Sequence, residues 1–176
     1  MKKNKIVILA IFLQLSFIGN AQAKCDLESF RFGISHKALM SKLKLSAEFD
    51  QPFFQDQPQQ MVFAPGEEVC KSEKILEGVP IHFKFLYGKL VEIQMMGVSE
   101  SPTLFEWAES IYGENNNKPN SFYYNQPIAQ WNWESSKAII SYSVESISND
   151  VLESIVIQST NHQKYFERFS KAQEDQ

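Results

Sequence analysis

Three histidines, scattered carboxylates, two cysteines and 23 aromatic residues (14 Phe, six Tyr, three Trp) are what this chain offers for chemistry. His36, His82 and His162 are the residues able to serve as neutral-pH bases or metal ligands. No two of them stand at i, i+4, and none lies near a cysteine in zinc spacing, so no metal centre is expected. Glu67–Glu68 and Glu106–Glu109 are adjacent and i, i+3 carboxylate pairs. Glycoside hydrolysis needs two carboxylates facing each other across a cleft, and this spacing gives no sign of convergence. A nucleophile elbow, a phosphate-cradling glycine loop and a zinc-protease helix are all missing from the sequence. No catalytic residue and no cofactor is therefore assigned.

Binding is better represented. Phe53, Phe54, Tyr123 and Tyr124 fall in irregular, proline-containing segments, and loops usually run over the surface. A contact role for these four stands beside simple packing within the loops. Trp131 and Trp133 lie two apart on an expected strand and so share one sheet face. Either they line the core against Trp107, or they form an exposed aromatic surface on a concave sheet that holds a partner protein or glycan.

Cys25 and Cys70 acquire meaning from what precedes them. Lys2, Lys3 and Lys5 are followed by a nearly unbroken apolar run, Ile6 to Ile18, and by Ala21-Gln22-Ala23. That is the pattern of a bacterial signal peptide over residues 1–23, cleaved near Ala23, and the apolar run is short for a membrane span. Export to the periplasm, an oxidising compartment, makes a Cys25–Cys70 disulfide the expected state, worth roughly 3–4 kcal/mol for a loop of this length. A lipid-modified Cys25 would need a small residue before it, and Lys24 stands there. The leader holds three lysines and no acid, so its removal takes the formal charge from −4 to −7. Such acidity disfavours nucleic acid and anionic membrane surfaces and favours a basic protein partner.

Short elements must position these residues. Ser35 is placed to cap a helix carrying Leu39, Met40 and Leu43. A short strand near Met61–Phe63 follows a proline- and glutamine-rich stretch. Alternation predicts a hairpin over Val79–Met96, with Gly88-Lys89 as a type II′ turn. Thr103 and Glu106 read as a capping box, with a rival start at Ser101 and Pro102 as first helical residue, for a helix whose buried stripe is Leu104, Trp107, Ala108 and Ile111, with Gly113 just past its end. Strands are expected at Ile128–Glu134, Ala138–Ser146 and Leu152–Ser159. Asn161 is the expected cap of a last helix, with a frayed tail after Lys171. His36 and His162 thus fall in first helical turns and His82 on the polar side of a strand.

The same order, helix then aromatic loop then antiparallel strands, occurs twice. Phe53-Phe54-Gln55-Asp56-Gln57-Pro58 parallels Tyr123-Tyr124-Asn125-Gln126-Pro127, and Ile81–Met95 parallels Ile139–Ile157. The expected fold is α+β. Two helix-plus-antiparallel-sheet halves, 24–100 and 101–176, form an internal repeat with the helices on one face of the sheet. With the entry Phe32-Gly33-Ile34-Ser35, this layout resembles a group of exported bacterial domains of the β-lactamase inhibitory protein type and of the small outer-membrane assembly lipoprotein type. The resemblance covers most of the mature chain. The inhibitor type carries a disulfide in each repeat, where this chain has one pair in all. The lipoprotein type carries a lipid cysteine, where this chain has Lys24 before Cys25. The resemblance implies a binding protein and transfers no site residues. The expected function is non-catalytic protein binding in the envelope, as an inhibitor, immunity or assembly accessory protein, with an envelope or secreted protein as partner. A periplasmic hydrolase of cell-wall or glycan substrates and a small-ligand carrier are the alternatives.

Overall fold

Period-two alternation of apolar and polar side chains builds most of this molecule. The computed structural model describes residues 24–45, 54, 57–115 and 129–175, so the expected leader lies outside the described residues. In chain order the elements are α1 (His36–Leu43), β1 (Gln59–Pro65), α2 (Gly66–Val69), β2 (Pro80–Leu86), β3 (Lys89–Ser99), α3 (Thr103–Tyr112), β4 (Ala129–Glu134), β5 (Ala138–Ile147), β6 (Asp150–Ser159) and α4 (Gln163–Glu174). The fold is α+β, with one six-stranded antiparallel sheet in the order β1-β2-β3-β6-β5-β4. Its middle seam is the β3–β6 pair, running from Glu92 opposite Gln158 to Ser99 opposite Val151.

One face of the sheet is the core. Ile81, Phe83, Phe85, Ile93, Met95, Ile140, Tyr142, Ile155 and Ile157 are buried there in one cluster with Leu39 and Leu43 of α1 and Leu104, Phe105, Trp107 and Ala108 of α3. At about 25 cal/mol per Å² of apolar surface, each such side chain contributes roughly 1.5–3 kcal/mol relative to exposure. The C-terminal helix departs from the expected placement of the helices on one face and contacts the sheet's other side. Lys84 alternates with Phe83 and Phe85, and its Nζ lies 5.8 Å from the Phe166 ring centroid. The Arg168 guanidinium sits 3.9 Å over Tyr87. Leu86, on the Lys84 side by alternation, is fully buried.

The Cys25–Cys70 disulfide is formed, with Cα atoms 5.5 Å apart. It ties the segment ahead of α1 to the residue that follows α2. Ser35 caps α1 as expected, its hydroxyl accepting from the Ala38 N–H. The β2–β3 turn differs from the expected one by a residue. Tyr87 (φ 50°) and Gly88 (φ 74°) are its central pair, and positive φ at both positions is the type I′ signature. Lys89 instead begins β3. The last helix also differs. Asn161 lies inside a 3₁₀ turn, His162 is the N-cap residue, and α4 continues to Glu174 instead of fraying after Lys171.

The expected Thr103–Glu106 capping box does not form. Pro102 is the N-cap residue and has no side chain able to accept. The donors at the start of α3 turn instead to Glu153, on β6. The Glu153 carboxylate is 1% exposed and accepts from the Thr103 N–H at 2.8 Å and the Phe105 N–H at 3.2 Å. It also accepts from the Tyr142 hydroxyl at 3.0 Å. A helix start carries positive partial charge and orphan N–H groups, so a buried anion is well placed there. Burial, then the charge and hydrogen bond of Glu153, push the Tyr142 phenol well above its ordinary value and keep it a donor.

Candidate functional site

Side chains that alternate with the core positions form the sheet's second face, which α4 covers beside β2 and whose remainder is the open face. One row crosses all six strands as Phe63, His82, Gln94, Val156, Ser141 and Asn132. Such a face is normally polar, since it meets water. Here Met61, Phe63, Met96, Val98 and Ile139 are 37–64% exposed on it. Leu152 and Val156 of β6 are half-buried between them. Val98 stands opposite Leu152 across the middle seam, and Met96 opposite Ser154. The apolar groups are therefore spread over β1, β3, β5 and β6.

The charges on this face are mostly acidic. Glu134 and Glu145 are exposed, while Glu92 is held 3.6 Å from Lys84. His82 lies beside Phe63, with ring centroids 6.3 Å apart. Apolar side chains interspersed with acids and amides make a surface for contact with a macromolecule, in which apolar anchors supply affinity and acids supply orientation.

Of the residues expected to bind, Phe54 is described and 57% exposed, just ahead of β1. Its N–H donates to Gln60 Oε1. Phe53, Tyr123 and Tyr124 lie outside the described residues. Trp131 and Trp133 correct the exposed-surface alternative, since they are 6% and 7% exposed and belong to the core cluster. The odd positions of β4 face the same side as Tyr142. Phe105 of α3 packs against both indoles, at 5.5 and 5.6 Å between centroids. Trp133 Nε1–H donates to the Gly113 carbonyl at 2.9 Å, which satisfies the one polar group that burial would otherwise strand.

The open-face residues Met61, Phe63, Met96 and Val98 were not singled out from sequence. Their signal was present. Val62 is flanked by two large apolar neighbours, and Met96 and Val98 continue an apolar pattern on the polar phase of β3.

The residues capable of catalysis are dispersed. Glu67 and Glu68 are on α2 and Glu106 and Glu109 on α3. Glu67 accepts from the Gly78 N–H and Glu109 from the Asn115 N–H. His36 is half-buried with its ring 5.8 Å from that of Phe85. His162 Nδ1 and Ser159 Oγ are 2.7 Å apart, but Ser159 is 2% exposed, which closes its hydroxyl to a substrate. Burial, then Lys164 and Lys89, lower the His162 pKa. Among the described residues no group of three or more His, Cys, Asp or Glu converges to hold a metal. A cleft of about 240 Å³ near the chain entry is lined by Lys24, Asp26, Glu28, Ile111 and Tyr112. Three charged residues line it, unlike the apolar pocket a small-ligand carrier would need. No helix among the described residues is long and apolar enough to cross a membrane. Compared with family models, curated proteins and solved structures, the chain matches none.

Proposed function

We propose that this is an exported, non-catalytic protein-binding module of the bacterial envelope and that the open sheet face is its binding surface. The observation that carries the reading is the set of five exposed apolar side chains, Met61, Phe63, Met96, Val98 and Ile139, on a sheet face where alternation calls for polar ones. The partner is an envelope or secreted protein, and a basic one. The chain carries a formal charge of −4, and Glu134 and Glu145 flank the apolar positions. A signal peptide over residues 1–23 delivers the protein to the periplasm, where the Cys25–Cys70 bond is stable. The two halves, 24–100 and 101–176, are an internal repeat. Each supplies two helices and three antiparallel strands, and β3 and β6 are the corresponding strands that meet at the seam. The weak layout resemblance to exported inhibitor and assembly domains agrees with this reading.

Photo-crosslinking in living cells tests it. A crosslinking side chain at Val98 or Ile139 is expected to capture one dominant basic protein, and one at the exposed Glu106 on α3 is expected to capture none. The purified partner should bind the wild-type protein and lose at least tenfold in affinity to Val98→Glu, since a buried carboxylate replaces an apolar contact. Equal capture from Val98 and Glu106, or binding indifferent to Val98→Glu, would exclude the open face as the site.

A further inference from the structure

End strands offer a row of unpaired N–H and C=O groups, and proteins ordinarily blunt them with charged side chains, prolines or bulges. β1 pairs only with β2 among the described strands. Its sequence, Gln59-Gln60-Met61-Val62-Phe63-Ala64-Pro65, contains no charged residue, and proline appears only at its last position. The strand continues in register with β2 from Gln59 opposite Leu86 to Pro65 opposite Pro80, with no shift. It also shows two of the most exposed large apolar side chains among the described residues, Met61 at 44% and Phe63 at 48%. β4, the other end strand, carries Glu134 and alternates its buried tryptophans with the exposed amides Gln130 and Asn132.

We infer that β1 is a self-association edge and that its occupant is β1 of a second copy of this chain. The strand is complementary to itself. A two-fold axis through Val62, perpendicular to the sheet, makes an antiparallel pair in which Met61 faces Phe63 of the other copy, and Phe63 faces its Met61. The axis keeps the open face open in both copies, so these two apolar pairs lie side by side on one continuous surface. Gln60 then faces Ala64 of the other copy, and no like charges meet anywhere along the seam. That matters because the chain is acidic overall, at −4, and a copy approaching through most other surfaces meets its own charge. An uncharged strand is the place where two acidic molecules come together at least electrostatic cost. Met61 and Phe63 also belong to the proposed binding face, but the contact inferred here is the strand edge and its occupant a second copy, so dimerisation in the absence of any partner and partner capture from Val98 are read separately.

Sedimentation of the mature, disulfide-intact protein from submicromolar to hundreds of micromolar tests the inference. A monomer–dimer equilibrium is expected in the wild type. The variant Met61→Lys/Phe63→Lys should shift the midpoint on the order of tenfold or more to higher concentration, because two apolar cross-strand pairs become four facing ammonium groups. Both positions are exposed, and circular dichroism together with the intact disulfide reports on folding. A second variant, Met61→Cys/Phe63→Cys, places partners of the antiparallel pair within about 4.5–5.5 Å between Cβ atoms, close enough to bridge after small adjustment. It should form a covalent dimer under mild oxidation, while Gln130→Cys/Asn132→Cys on β4 should not. A wild type that stays monomeric throughout, a dimer unaffected by the lysines, or equal crosslinking at both edges would overturn the assignment. So would a monomer that instead takes a foreign strand along β1.

Discussion

Replacing Glu153 with alanine tests the account of how α3 is held on the sheet. The side chain is 1% exposed, and its carboxylate receives two backbone N–H groups of α3 and the Tyr142 hydroxyl at 2.8–3.2 Å. Truncation leaves those three donors without their acceptor in a space where Phe105 and Tyr142 are themselves fully buried. An unsatisfied buried donor costs about 1–3 kcal/mol, and losing a helix cap typically costs about 1 kcal/mol. Some of the α3 donors regain water at the helix end, so the expected loss is about 3–5 kcal/mol, short of the full sum. Glu153→Gln keeps one acceptor oxygen but turns an amide N–H₂ toward other donors, and should cost about half as much. Urea unfolding at neutral pH, followed by tryptophan fluorescence with the disulfide intact, is the assay. Trp107, Trp131 and Trp133 all lie in the core that α3 closes. Tyr142→Phe removes one of the three donors, so in the Glu153→Ala background it should cost less than in the wild type by about 1 kcal/mol. A Glu153→Ala loss below about 1 kcal/mol, or strict additivity with Tyr142→Phe, would refute the reasoning.

Two further outcomes are expected. Cys25→Ser/Cys70→Ser should lower stability by roughly 3–4 kcal/mol through the freed 45-residue loop, read as a drop in the urea midpoint with an m-value no smaller than that of the wild type, since the unlinked unfolded chain exposes more surface. His162 has its pKa lowered in the folded protein, chiefly by burial and further by Lys164 and Lys89, so the fold favours the neutral ring. The unfolded chain then takes up the proton first as pH falls below the ordinary value of 6.5, and stability present above that value declines below it. Unfolding midpoints measured between neutral and mildly acidic pH should show that decline in the wild type and less of it in His162→Gln. An identical pH dependence in the two proteins would dismiss His162 as its source.

The strands were legible because alternation is a local signal. Ile81, Phe83 and Phe85 against His82 and Lys84 fix both a strand and its buried face, and the structure follows. The cap of α1 was equally legible, since Ser35 and the N–H it receives are three residues apart. The cap of α3 was not. Its donor at Thr103 and its acceptor at Glu153 are 50 residues apart, and only the sheet register brings them together. The Thr103–Glu106 spacing suited a local capping box, but the chain begins its helix at Thr103, one residue after the true N-cap position. The tryptophans show another limit. Residue spacing put Trp131 and Trp133 on one face, but which face depended on Phe105, which lies on another element and packs against both indoles. The apolar positions of the open face were visible in sequence as residues out of phase. They carried no meaning until the sheet order set Val98 beside Leu152.

That sheet order also sets the timetable of folding. The β2–β3 and β5–β6 hairpins join neighbours in sequence and close quickly. The central seam joins residues 92–99 to residues 151–158, a longer reach along the chain than any other strand pair makes. During synthesis, the first three strands must therefore wait for the sixth with the edge of β3 unpaired. That waiting edge carries Met96 and Val98. A half-made molecule is thus a sheet fragment with two sticky edges, and until β6 is in place any chaperone that receives the protein has β3 to shield as well as β1.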